Sequence, residues 1–132
     1  MQLVSKGAVI KMKRIVMDID GTITVADPQI PYSKVEPNIE LIDVLREYKN
    51  RGFEIVLYTA RNMNSFQNNV GKITAKTLPT LIDWLDRHSV PYDEIFVGKP
   101  WCGSEGFYVD DKAVRPDEFV KLNYDQIRKL IS

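Results

Sequence analysis

The sequence predicts an α/β domain in which helices cover a mostly parallel sheet in three layers. Two observations predict it. Short apolar runs alternate with longer stretches whose apolar residues recur at helical spacing, in the order β, α, β, α, β, β, α. Strands separated by helical crossovers pair in parallel, and such a sheet needs cover on both faces. The length of 132 residues allows one such domain, spanning the whole chain, and is too short for two of full size.

Composition narrows the function classes. The apolar and charged fractions, 44% and 27%, are those of an ordinary globular chain, which disfavours disorder and membrane spanning. Lys plus Arg equals Asp plus Glu at 18 each, so no global basic surface invites nucleic acid. Cys102 and His88 are the only residues of their types. No intramolecular disulfide, zinc cluster or Cys/His catalytic pair can be built, and chemistry must be sought among the carboxylates. Met1 to Lys13 holds no continuous apolar run of signal-peptide length, so a cytoplasmic location is expected. Met12 is an alternative start, which would make Met1 to Lys11 an extension.

Arg14 to Met17 reads as a buried strand running into Asp18-Ile19-Asp20-Gly21-Thr22. Strand geometry sets Asp18 and Asp20 on one side and Ile19 on the other. Two adjacent acids repel each other, and a cation between them offsets that. The same letters also fit a hairpin turn at Asp20-Gly21 with both acids in solvent. Pro28 and Pro31 keep Ile23 to Glu36 from being a central strand, leaving a flap-like loop or hairpin. Pro37 suits the first position of a helix with Ile39, Leu41, Ile42, Val44, Leu45 and Tyr48 on its apolar face, ended by Arg51-Gly52.

Phe53 to Tyr58 is a second buried strand, closing on Thr59-Ala60-Arg61. Amide-rich Asn62 to Lys72 reads as a loop, followed by a helical stripe at Leu78, Leu81, Ile82 and Leu85 whose main helix begins near Pro79. Trp84 suits the core, and His88 the helix C-terminus. Glu94 to Val97 is a third strand, closing on Gly98-Lys99-Pro100. Phe107 to Val109 reads as a fourth, closing on Asp110-Asp111, and the tail as one or two short helices with Asn123 between them.

The four predicted strands thus end in Asp18-x-Asp20, Thr59, Lys99 and Asp110-Asp111. In a parallel sheet these ends share one edge, where ligands of open α/β sheets bind. Carboxylates for a hard divalent cation, a hydroxyl and an ammonium together suit a phosphate-handling site.

These motifs resemble those of the haloacid dehalogenase (HAD) superfamily of phosphohydrolases, in the family's order and across most of the chain. The closer resemblance is to small phosphatases of capsular polysaccharide biosynthesis, through Tyr58-Thr59-Ala60-Arg61 and Val97-Gly98-Lys99-Pro100-Trp101 leading to Tyr108-Val109-Asp110-Asp111. The resemblance implies a Rossmann-like, HAD-like fold and an aspartyl-phosphate mechanism. Asp18 is the implied nucleophile and Asp20 the acid/base. The implied Mg²⁺ set is Asp18, the Asp20 carbonyl, Asp110 and Asp111, the last as an inner- or an outer-sphere ligand. Thr59 and backbone amides about Gly21, Thr22 and Ala60 would bind phosphoryl oxygens, Arg61 the substrate, and Lys99 would balance charge. The alternatives are structural: Arg61 as a salt bridge anchoring its loop, and Lys99 as a solvated turn residue.

Two departures stand out. Between Lys99 and Asp110 the usual family helix is missing, leaving about eight residues from strand to strand; at ~3.3 Å each they reach ~26 Å, against the ~22 Å that the crossover requires. Val114 also stands where the family often has another acid, leaving Asp111 to serve. No interval has room for a cap domain, so Ile23 to Glu36 and Asn62 to Lys76 are the only lids, and self-association is the expected source of further cover. A small sugar- or polyol-phosphate is the expected substrate. A nucleic-acid 3′-phosphatase, with Arg61, Lys72 and Lys76 along a path, and a non-enzymatic binding module are the competing readings.

Overall fold

The strand periodicity is realised in a computed structural model that describes residues 12–132. The expectation of an extension at 1–11 lies outside those residues. β1 (Arg14–Asp18), β2 (Glu54–Thr59) and β3 (Glu94–Val97) form a parallel sheet in the order β1-β2-β3, with Asp18 opposite Tyr58 and Thr59 opposite Val97. Alternation directs Ile15, Met17, Ile55 and Leu57 into one core, with Ile55 and Leu57 fully buried.

Three of the described helices begin where an asparagine side chain caps them. α1 (Ile39–Asn50) starts after Asn38, whose side-chain oxygen accepts from the Leu41 amide at 3.3 Å. Pro37, expected inside this helix, stands before it and bridges to Thr24. Gly52, at φ +92°, ends α1 in a left-handed turn that favours glycine. Asn69 caps α2 (Val70–Lys76) through the Lys72 amide, so the expected loop to Lys72 gives way to helix earlier. α3 (Leu78–Arg87) carries Pro79 in its first turn and ends at His88. The tail forms α4 (Pro116–Lys121) and α5 (Tyr124–Leu130), the latter capped by Asn123.

Leu41 and Leu45 of α1, Leu81, Trp84 and Leu85 of α3, and Phe119 of α4 join the core formed with Ile55 and Leu57. Tyr48 stacks on Phe119 and meets Phe53 edge-on at 5.0 Å, tying α1 to α4 and the start of β2. Trp84 is fully buried, and its indole N–H donates to the Val35 carbonyl at 2.9 Å, pinning the end of the flap. The flap closes at its base through the Val25 amide and Glu36 carbonyl.

The structure corrects two expectations. Phe107 to Val109 forms no strand; Phe107 and Val109 are 80% and 87% exposed, and the outer edge of β1 is unpaired among the described residues. An isolated three-residue apolar run gains little from pairing when the chain that delivers it has no helix to pack it down. The three-layer arrangement is likewise only partly formed: Val56 is buried on the second face, but Val16 and Phe96 there are 58% and 53% exposed. No described helix is long and apolar enough to cross a membrane.

Candidate active site

At the C-terminal end of β1 the chain wraps around one carbonyl. The Ile19 oxygen accepts from the amides of Thr22, Ile23 and Thr24, and Ile19 itself is fully buried. This turn, with Gly21 at φ +81°, excludes the hairpin reading of Asp20-Gly21 and aims both acids at the sheet edge. The Thr22 hydroxyl donates to Asp18 Oδ2 at 3.1 Å, and the Asn38 side chain holds the Thr22 carbonyl.

Each acid has its own cation. Lys99 Nζ donates to Asp18 Oδ1 at 3.2 Å, bringing the end of β3 across β2 to the end of β1. Gly98, at φ +90°, makes that turn, and the Lys99 amide then donates to the Thr59 carbonyl. Arg61 donates to Asp20 Oδ1 from Nη2 at 2.7 Å and from Nε at 3.1 Å, and the Thr59 hydroxyl donates to Asp20 Oδ2 at 2.7 Å. The Arg61 side chain is 1% exposed against 29% for Asp20, so this pair is shielded on the arginine side. Removing one member of a buried pair leaves an uncompensated charge, which is why such pairs fix geometry even where they add little net stability.

Burial raises the Asp18 carboxyl above its ordinary value, against the opposing pull of Lys99. For Lys99, burial works to lower the ammonium, but the nearby Asp18 carboxylate, with the Tyr58 and Tyr108 phenols, raises it by more, and the net shift is upward. Lys99 thus keeps its charge, while burial makes the Asp18 charge costlier than it is in water.

The structure brings Asp18, Asp20, Thr22, Thr59, Arg61 and Lys99 together. Other expected contributions differ. The Gly21 amide donates to the Thr24 hydroxyl, the Thr59 hydroxyl is engaged by Asp20, and Ala60 lies half-buried with its carbonyl accepting from the Met63 amide. Arg61 makes the salt bridge with Asp20, and its Nη1 is buried without a hydrogen-bond partner among the described residues.

Whether these donors fit a divalent cation follows from the same geometry. Among the described residues no three His, Cys, Asp or Glu side chains gather as a metal-binding group. Asp110 lines a cleft of about 420 Å³ with Asp18, Thr22 and Tyr58, but its carboxylate accepts from the Lys112 amide, and Asp111 is exposed on the next turn. The carboxylates expected to join the Asp20 carbonyl about the cation, those of Asp18, Asp110 and Asp111, are therefore not gathered, because the segment carrying the last two does not pair with β1. Lys99 pairs with the Asp18 carboxylate and Arg61 with that of Asp20 instead.

Sequence reasoning missed three aromatic residues. The Lys99 ammonium lies 4.5 Å from the Tyr58 ring centroid and 4.1 Å from that of Tyr108, and the Arg61 guanidinium lies 4.1 Å from that of Tyr32 on the flap. Tyr58 was open to strand register, since it precedes Thr59 and pairs with Asp18. Tyr32 and Tyr108 sit on loops, whose approach no periodicity reports.

No protein-family model matches this chain, and no curated protein matches it. A solved structure does: the crystal structure of an MCSG target from Vibrio cholerae is 54% identical, over 91% of this chain and 97% of that one, with a TM-score of 0.88. Identity at that level across nearly the full length of both chains means that this chain and the Vibrio cholerae protein belong to one family.

Proposed function

We propose that this protein is a phosphomonoester hydrolase of the HAD type, without a cap domain, acting through an aspartyl-phosphate. One observation carries the reading: a strand-end carboxylate, Asp18, is held by an ammonium and a hydroxyl, with a second acid two residues on. In this reading Asp18 attacks phosphorus, and Lys99 and Thr22 orient the attacking group while lowering the repulsion that a phosphate dianion meets at two acids.

Asp20 protonates the departing alcohol and later takes a proton from water. Thr59 serves that exchange. Its hydroxyl donates to the carboxylate, and by turning it can accept from the protonated acid, so Oδ2 can carry a proton without losing its partner. Arg61 holds the other oxygen and keeps the group in place. Mg²⁺ belongs to the proposal through the motif resemblance alone. The described acids do not enclose a cation, so the steps above involve only atoms of the chain.

The proposed substrate is a small sugar- or polyol-phosphate of the kind used in capsule or polysaccharide precursor synthesis, in the cytoplasm. Zero formal net charge supports a metabolite over nucleic acid, which is steered by positive potential. The exposed Val16 and Phe96 on the sheet's second face support self-association as a source of cover. The test is a panel of phosphate esters that includes an oligonucleotide 3′-phosphate, run with Mg²⁺ and after exhaustive chelation. Sugar phosphates turning over fastest, and only with the metal, is the expected result; a hundredfold preference for the oligonucleotide would overturn the substrate class, and full activity after chelation would remove the metal.

A further inference from the structure

The Lys99 ammonium has three N–H groups and, among the described residues, one hydrogen-bond acceptor, Asp18 Oδ1 at 3.2 Å. Its side chain is only 10% exposed, so water has little access to the remaining donors. What stands around them is aromatic. The Tyr58 and Tyr108 rings lie with their centroids 4.5 and 4.1 Å from Nζ, within the range at which a ring face attracts a cation.

The two rings are held differently. Tyr58 belongs to β2 and is fixed by the ladder on both sides. Tyr108 belongs to the loop after β3, is 52% exposed, and is tied by its hydroxyl to the Pro100 carbonyl at 2.7 Å. That tie closes the loop directly over Lys99. Two glycines permit the closure: Gly103 turns at φ +81°, and Gly106 packs so tightly on the Cys102 carbonyl that a side chain there would collide with it. Solvent-facing tyrosine on such a loop adds little to a core, so its placement over a shielded ammonium calls for another account.

We infer that Tyr58 and Tyr108 form an aromatic clamp that keeps the Lys99 ammonium on Asp18, making Tyr108 a positioning residue for the nucleophile. The inference rests on the hydrolase reading for its consequence but not for its geometry. Without the outer ring, a four-carbon side chain regains the freedom to swing toward water, and Asp18 loses its fixed partner for part of the time. Ring faces restrain the ammonium without competing as hydrogen-bond acceptors, leaving Asp18 as its anionic partner.

Two readouts test this, one independent of activity. In carbon-detected spectra, the Lys99 ε-methylene, assigned by its loss in Lys99→Ala, should be shifted upfield by the two rings. The shift should shrink in part in Tyr108→Phe, which keeps the ring but loses the tie to Pro100, and most in Tyr108→Leu; an unchanged signal in Tyr108→Leu overturns the clamp whether or not the protein hydrolyses phosphate esters. In kinetics with p-nitrophenyl phosphate, Tyr108→Leu should lower kcat/KM about tenfold, with Tyr108→Phe restoring it to within about threefold of wild type. In a Lys99→Ala background the same Tyr108→Leu change should have no further effect, because it acts through Lys99. An additive loss in that background overturns the positioning role. Spectra that behave as expected with no turnover by wild type would instead overturn the hydrolase reading and leave the clamp standing.

Discussion

The ends of β1, β2 and β3 and the segment Phe107 to Asp111 have similar local character, apolar residues followed by polar ones, yet opposite fates. At the three strand ends, Asp18, Thr59 and Lys99 are drawn within hydrogen-bonding reach of one another or of Asp20. At the fourth, Phe107 and Val109 face solvent, and Asp110 accepts from its own loop. Residues of the first three runs pack in or against the same core, so pairing and burial reinforce each other. The fourth arrives on a helix-free loop, and the contacts that hold that loop are those of Tyr108. A strand needs a delivered partner edge as well as a β-prone sequence.

That difference can be broken from the assembled side. Asp18→Asn should reduce turnover of p-nitrophenyl phosphate by at least ~10³-fold with the circular dichroism spectrum unchanged, since the amide keeps the shape and hydrogen-bonding oxygen but is a poor nucleophile. Wild-type rates in this variant would remove Asp18 as nucleophile. On the scaffold beneath it, Leu57→Ala should destabilise the fold by about 3 kcal/mol in urea titration, as a fully buried strand residue leaving a cavity.

The same acid should show a pH signature in metal-free protein. Because the folded Asp18 carboxyl is raised above 3.8, the folded state holds its proton longer than the unfolded chain does. Stability from this group is therefore greatest in acid and falls as pH rises from below 3.8 through the raised value. Asp18→Asn lacks that titration, so its unfolding free energy should gain on wild type across the same window and then run parallel to it. A gain in the opposite direction, measured by urea unfolding at a series of pH values, would mean that Lys99 rather than burial governs Asp18.

The smallest effect sharpens the other side. Phe107→Ser and Val109→Ser should each change folding stability by less than ~0.5 kcal/mol, since both side chains are already in solvent. Losses approaching that of Leu57→Ala would show that the segment packs as a fourth strand.

Much of the molecule was legible from local pattern. The apolar runs located the three strands, Gly52 the end of α1, and Asn123 the break between the last helices, because strand alternation, left-handed turns and capping are decided by a few neighbouring residues. The spacing of Asp18 and Asp20 and the strand-terminal positions of Thr59 and Lys99 likewise marked them as candidates. Tertiary structure decided which charges meet. That Arg61 turns inward to Asp20 and that Lys99 reaches Asp18 between two tyrosines depend on contacts between residues 41 and 81 positions apart, respectively. Local sequence constrains only a residue's own backbone and near neighbours, whereas the ordering of a distant pair depends on whether enough apolar surface is buried between them to offset the entropy of closing the chain.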